Sequence, residues 1–165
     1  MWSLRRAIVF AVLLVSAARG AEYPALGMDV YDPKANGMQA VDAAIARAQI
    51  EHKRVMVVFG ANWCPWCHRL NQAFQSDPAL LQYLDRDYIL VKIDVNAKSG
   101  TQRNRDVVLR FDTATRAGLP AIVVLDETGR RLVTQGTGAW EMKEKKAYRR
   151  AAILEFFRTW APPRA

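Results

Sequence analysis

Residues 55–68 read Val55-Met56-Val57-Val58-Phe59-Gly60-Ala61-Asn62-Trp63-Cys64-Pro65-Trp66-Cys67-His68, and this stretch decides the fold. Its first five residues are apolar without alternation, which predicts a strand over 55–60 buried on both faces of a sheet. A C-x-x-C follows at once. Pro65 suits a first helical turn, where its missing N–H costs nothing, so a helix is expected to open at the motif. The Cys64 sulfur then lies at a helix N-terminus, where unpaired N–H groups and the macrodipole favour a thiolate. Cys67, one turn deeper on a neighbouring face, can close a disulfide with it. The 165-residue chain has only these two cysteines, so any redox cycle runs between them. Cys67, Leu70 and Phe74 share one helical stripe, which turns Cys67 inward and leaves Cys64 exposed at the tip.

Working outward, Met38, Val41, Ile45 and Ala48 recur at helical spacing after Asn36-Gly37 and predict an amphipathic helix closed by Lys53-Arg54. Downstream, Asp77-Pro78 opens a second short helix carrying Leu80, Leu81 and Leu84. Tyr88 to Val95 reads as a strand, Asn96 to Arg105 as a polar loop, and Val107 to Phe111 as a short helix. Gly118-Leu119-Pro120 precedes a strand from Ala121 to Leu125. Asp126-Glu127-Thr128-Gly129 is turn chemistry, and Arg131 to Gln135 pairs back as a hairpin. A last helix shows Ile153, Phe156, Phe157 and Trp160 on one stripe, before a Pro-rich tail.

This order, with W-C-x-x-C after the first core strand and G-L-P before the hairpin, resembles the thioredoxin superfamily, in particular its exported single-domain members with a W-C-x-W-C-type site. The resemblance runs from about Met38 to Trp160. It implies an α/β thioredoxin fold, with a central mixed sheet of about four to five strands flanked by helices. It further implies a thiol–disulfide oxidoreductase in which Cys64 attacks and Cys67 resolves, and in which Trp63, Pro65, Trp66, Leu119 and Pro120 contact the substrate. Pro120 would be the family's cis proline, with Leu119 offering its backbone to an extended peptide. The implied partners are protein thiols and disulfides, with a membrane-bound redox protein that resets the pair; no cofactor or metal is implied, and a monomer is expected.

The chain departs from the family in three places. Where thioredoxins carry a buried aspartate six residues before the first cysteine, this chain has Val58. Lys92 and Asp94, on one face of the next strand, are candidates to replace it in tuning the thiols; the alternative is an ordinary ion pair between them. Gln72 stands where many thioredoxins have a proline in the active-site helix, and the stretch from Val95 to Gly118 is longer than usual. His68, four residues after Cys64, is a candidate to lower its pKa; the alternative is a solvent-facing helix residue. Pro65-Trp66 resembles the glutaredoxin site, but Leu119 replaces the valine or threonine expected there for glutathione use. Cys64-Pro65-Trp66-Cys67-His68 is also a literal C-x-x-C-H, so covalent c-type haem with His68 as ligand is an alternative function. A redox-inactive binding or chaperone module is another.

Arg5 and Arg6, the apolar run Ala7 to Ala18, and small residues before Glu22 read as a secretory signal peptide over 1–20, cut after Gly20 or Ala18. An uncleaved anchor is the alternative; no cysteine near the cut could be acylated. The reading divides the chain into that signal, an irregular arm over 21–37, one domain over 38–161 and a tail over 162–165, and places it in the periplasm. In an oxidising compartment a disulfide is credible, yet one closing so short a loop adds little stability, which points to chemistry. The formal charge of +8 falls to 21 basic against 16 acidic residues without Arg5, Arg6 and Arg19. Much of the excess sits in Lys143, Lys145, Lys146, Arg149 and Arg150. These lack the interleaved aromatics of a nucleic-acid surface and are expected to form a solvated helix face.

Overall fold

The computed structural model describes residues 27–96, 100–111, 115, 116 and 118–163. The signal peptide expected over 1–20 and the start of the expected arm therefore lie outside the described residues. Strand β1 (Arg54–Gly60) is central. It pairs in parallel with β2 (Tyr88–Asp94) and antiparallel with β3 (Ala121–Leu125), and β3 pairs antiparallel with β4 (Arg131–Gly136). The sheet order is β2-β1-β3-β4, a mixed four-stranded sheet as expected.

Helices cover both faces. Helix α1 (Gly37–Glu51) begins at Asn36, whose side chain accepts from the Gln39 N–H, and ends at His52 in the left-handed conformation. With Val107 and Phe111 of the short α4 segment (Arg105–Arg110 and its cap), it buries Val55, Val57, Phe59, Ile89, Val91 and Ile93. On the other face, α2 (Pro65–Ser76), α3 (Pro78–Asp87) and α5 (Arg150–Trp160) bury Met56, Val58, Ile122 and Val124. One residue serves two helices at Asp77, which ends α2 and caps α3 by accepting from the Ala79 and Leu80 N–H groups. Phe157 is the anchor of this face. Its fully buried ring meets those of Phe74, Tyr83 and Tyr88, and its carbonyl accepts from the Tyr88 hydroxyl at 2.8 Å.

The basic stretch is not a helix face. Lys143–Lys145 form a single 3-10 turn linking two short strands, β5 (Glu141–Met142) and β6 (Ala147–Tyr148), and α5 starts only at Arg150. The cause is Lys146, which takes a positive φ and reverses the chain so that Tyr148 can be buried. Two residues per strand are too few to leave an alternating pattern in the sequence. Smaller differences are that β1 starts at Arg54 and α4 at Arg105, each slightly ahead of the apolar residues that signalled them.

The β3–β4 turn is held by one carboxylate. Asp126 accepts from the Thr128 N–H, the Thr128 hydroxyl, and the Arg130 N–H and guanidinium. Burial alone would raise its pKa, but the hydrogen bonds from Thr128 and Arg130 outweigh burial and hold it at about 2. A depressed carboxyl stabilises the fold above its unfolded pKa of about 3.9, and that contribution is lost as pH falls through the folded value. Stability should therefore drop between about pH 4 and pH 2, and Asp126→Asn should flatten that part of a denaturation-versus-pH curve. Phe157→Ala should cost about 3–5 kcal/mol in urea unfolding, the range for emptying a well-packed aromatic site; a cost under about 1 kcal/mol would show that the α5 face is not integral to the core.

Candidate active site

At the C-terminal end of β1 the chain turns through Ala61-Asn62-Trp63, with the Cys64 N–H donating to the Ala61 carbonyl. Cys64 is the N-cap of α2, and its Sγ accepts from the Cys67 N–H at 3.2 Å. A sulfur in this position takes one of the helix's unpaired donors, which favours its anionic form. Cys64 and Cys67 are joined as a disulfide with their Cα atoms 5.3 Å apart, well inside the usual range.

Cys67 faces the core as the stripe predicted, but Cys64 is not exposed at the tip. The two residues are 4% and 1% accessible. Tyr31 packs with the pair in one cluster, and Val30, Trp63, Trp66 and Leu119 close around it. The Leu119 carbonyl oxygen lies 3.6 Å from Cys64 Sγ. This cover comes from segments distant in sequence, which a helical stripe cannot reveal.

Leu119-Pro120 is a cis peptide at the entry to β3. The Pro120 carbonyl accepts from the Thr137 hydroxyl at 2.9 Å; that hydroxyl is 3.2 Å from the Tyr148 hydroxyl, which donates to the Trp66 carbonyl at 3.2 Å. Two hydroxyls thus tie the proline loop to the first turn of α2. The Trp66 ring meets Tyr148 edge to face, and the Arg69 guanidinium lies 4.7 Å over it. The basic turn is therefore attached, through β6, to the rim of the dithiol. Beside Leu119, a cavity of about 120 Å³ is lined by Val95, Arg103, Arg105, Val108 and Thr115, residues of the stretch between β2 and β3.

The tuning candidates occupy definite places. His68 is part-buried, and its imidazole is directed to the loop before the cysteines: its Nε2 donates to the Asn62 carbonyl at 2.7 Å, locking the loop that carries Trp63. Lys92 and Asp94 do not pair with each other. Lys92 is the register partner of Val58 and donates to Asn71 Oδ1 at 2.5 Å, while Asp94 binds Arg103 at 2.7 Å and accepts from the Asn96 N–H. Burial lowers the Lys92 pKa. Covalent haem would need both sulfurs and the His68 imidazole turned to one open face; here the sulfurs are bonded beneath Leu119 and the imidazole is engaged by the backbone.

Sequence reading missed Asn62, Thr137, Tyr148 and the role of the arm. Asn62 is buried; its Oδ1 accepts from the Val30 and Tyr31 N–H groups at 2.9 Å, and its Nδ2 donates to the Tyr31 carbonyl. An asparagine immediately before the W-C-x-x-C was the only available signal.

A bonded cysteine pair capping a helix, beside a cis proline on a mixed sheet covered on both faces, defines the thioredoxin-fold disulfide oxidoreductases. A thioredoxin-like family model matches residues 36–127, more than half the chain, and the protein belongs to that family. Among solved structures, a disulphide isomerase from Xylella fastidiosa Temecula1 is 28% identical with a TM-score of 0.68, over 82% of this chain and 98% of that one. The oxidised C-terminal domain of DsbD from Neisseria meningitidis (22% identity, TM-score 0.52, 74% of this chain and 95% of that one) shares the fold. So does a thioredoxin from Thermus thermophilus (22%, 0.51, covering 72% and 81%). No curated protein sequence matches significantly.

Asn62→Ala should leave the part-buried Val30 N–H and the buried Tyr31 N–H without their partner, the buried group alone costing about 1–3 kcal/mol. Hydrogen exchange at Val30 and Tyr31 should accelerate sharply while β1 amides keep far more of their protection. Unchanged exchange at both residues would show that the arm is held by something other than Asn62.

Proposed function

We propose that this protein is an exported, periplasmic thiol–disulfide oxidoreductase that acts on protein substrates and runs mainly as a reductant. In this reading the Cys64 thiolate attacks a substrate disulfide and one substrate sulfur leaves. Cys67 then attacks Cys64, releasing the second substrate thiol and closing the Cys64–Cys67 bond. The observation that carries the proposal is the Cys64 sulfur, held on the Cys67 N–H and against the Leu119 carbonyl. A substrate strand would pair with the Leu119 backbone, with Trp63, Pro65, Trp66 and Pro120 as its apolar surround. The similar Xylella structure, a disulphide isomerase, supports a protein dithiol substrate.

The reductive direction is supported by how little stabilises the Cys64 thiolate. A strongly oxidising couple needs a heavily stabilised reduced form. Here the sulfur receives one backbone N–H and a helix terminus, and His68 is turned away to Asn62. A reductant in an oxidising compartment must be reset, for which a membrane-bound redox protein is the proposed partner. The basic n-region and apolar run of residues 1–20 support export.

Three measurements test this. Cys67→Ser should trap mixed disulfides with protein partners and Cys64→Ser should not; trapping by the second variant alone would reverse the roles. Equilibration with glutathione should place the couple nearer ~−270 mV than ~−120 mV, and a value at the oxidising end would overturn the direction. Periplasmic extracts should contain a chain whose mass begins at Ala21 or Arg19, with no covalent addition of a haem.

A further inference from the structure

In families that place a carboxylate behind the second cysteine, the strand supplies it. Here the strand offers Val58, and the space behind Cys67 is a cavity of about 10 Å³ lined by Val30, Tyr31, Val58, Asn71, Phe74 and Lys92, among others. Two of its polar side chains are satisfied by each other, Lys92 donating to Asn71. Asp94, on the same face of β2, is committed to Arg103 and the Asn96 N–H. The Tyr31 side chain is different. The residue is 2% accessible, and among the described residues its hydroxyl makes no hydrogen bond.

Gly60 shows where that hydroxyl points. A Cβ built on Gly60 would lie 2.2 Å from the Tyr31 hydroxyl oxygen and 2.9 Å from Cys67 Sγ. Phenol and sulfur therefore approach each other across the one bare Cα at the end of β1. The placement is enforced from the backbone outward, since Asn62 binds both the N–H and the carbonyl of Tyr31. Tyr31 also lies outside the span matched by the family model, so this element belongs to the chain's own arm.

We propose that Tyr31 is a positioning residue of the dithiol site, its hydroxyl donating a hydrogen bond to the Cys67 sulfur when the Cys64–Cys67 bond is open. This rests on the exchange chemistry proposed above and assigns the group that assists its second step. In that step Cys67 sulfur bonds to Cys64 sulfur, the Cys64–substrate S–S bond breaks, and the departing substrate sulfur takes the electron pair and the proton that Cys67 gives up. Tyr31 keeps its own proton: burial pushes the phenol pKa up, with Tyr148 and Asp94 adding to the shift, so it is a donor throughout the working range. A donor to the anionic form favours the thiolate. Among the described residues, Lys92 on β2 lines the cavity behind Cys67, and Tyr148 on β6 and Asp94 on β2 act on the Tyr31 phenol.

The test uses the full mature chain carrying Cys64→Ser, which leaves Cys67 as the sole thiol, titrated through its ¹³Cβ NMR shift. Adding Tyr31→Phe, which keeps the ring and the Asn62 bonds, should raise the Cys67 midpoint by about one pH unit. Adding 3-fluorotyrosine at position 31, a stronger donor, should lower it. A role in packing alone would move neither, and midpoints unchanged in both variants would overturn the proposal. With both cysteines present, reaction of the reduced protein with an aromatic disulfide reagent should release two equivalents of aromatic thiol in sequence. Tyr31→Phe should slow the second release relative to the first by about threefold at pH 7, the tenfold loss of thiolate being partly offset by its greater nucleophilicity. A wild-type protein that releases only one equivalent would overturn the exchange reading, while the Cys67 midpoints would still judge Tyr31.

Discussion

Strand β1 gives up neither an edge nor a face. β2 and β3 take both of its ladders, and every residue from Val55 to Gly60 is buried between α1 on one side and α2, α3 and α5 on the other. A segment so constrained cannot slide by one residue without turning its whole inward set to the opposite layer. The position of everything after Gly60 is therefore set by the sheet. The turn to Cys64 is only three residues long, and Cys64 must begin α2, because Pro65 supplies the first helical position and Cys67 offers its N–H back to the sulfur. The cysteine pair is positioned by the packing of this strand.

Around that fixed point, three separate segments converge through polar contacts. Asn62 holds the arm, the Leu119 carbonyl meets Cys64, and Thr137 with Tyr148 joins the proline loop to Trp66. Asn62 pairs the N–H and carbonyl of the buried Tyr31, and leaving such groups without a partner costs about as much as a lost hydrogen bond. The site is therefore closed by the same requirement that completes the fold. This is why Cys64, at the start of a helix, is nearly inaccessible.

What could be read from the sequence followed from periodicity and punctuation. The unbroken run Val55–Phe59, the paired signals Asn36-Gly37 and Asp77-Pro78, and the Asp126–Gly129 turn each correspond to an observed element boundary to within a residue or two. The Cys67-Leu70-Phe74 stripe is buried as read. Contacts between segments far apart in the chain could not be read. Tyr31 and Asn62 are 31 positions apart, and Tyr148 reaches Trp66 across 82. The β5–β6 hairpin was hidden for a different reason: two-residue strands have no period, and five basic residues among the eight from 143 to 150 suggested a solvated surface whichever structure carried them.

The absence of a carboxylate at position 58 links these observations. A valine there completes the apolar layer with Met56, Ile122 and Val124, so the strand gains packing and loses a proton acceptor behind Cys67. Its neighbour in the ladder is Lys92, a cation that burial makes easier to neutralise and that is bonded to Asn71 on the active-site helix. The region behind the second sulfur therefore has the opposite polarity to one built on an acid: an ammonium or a hydroxyl can favour the thiolate directly, whereas an acid must take its proton. A buried hydroxyl also costs far less to desolvate than a buried charge. That difference gives a physical reason for the arm, pinned by Asn62, to bring a phenol rather than a charge up to Gly60.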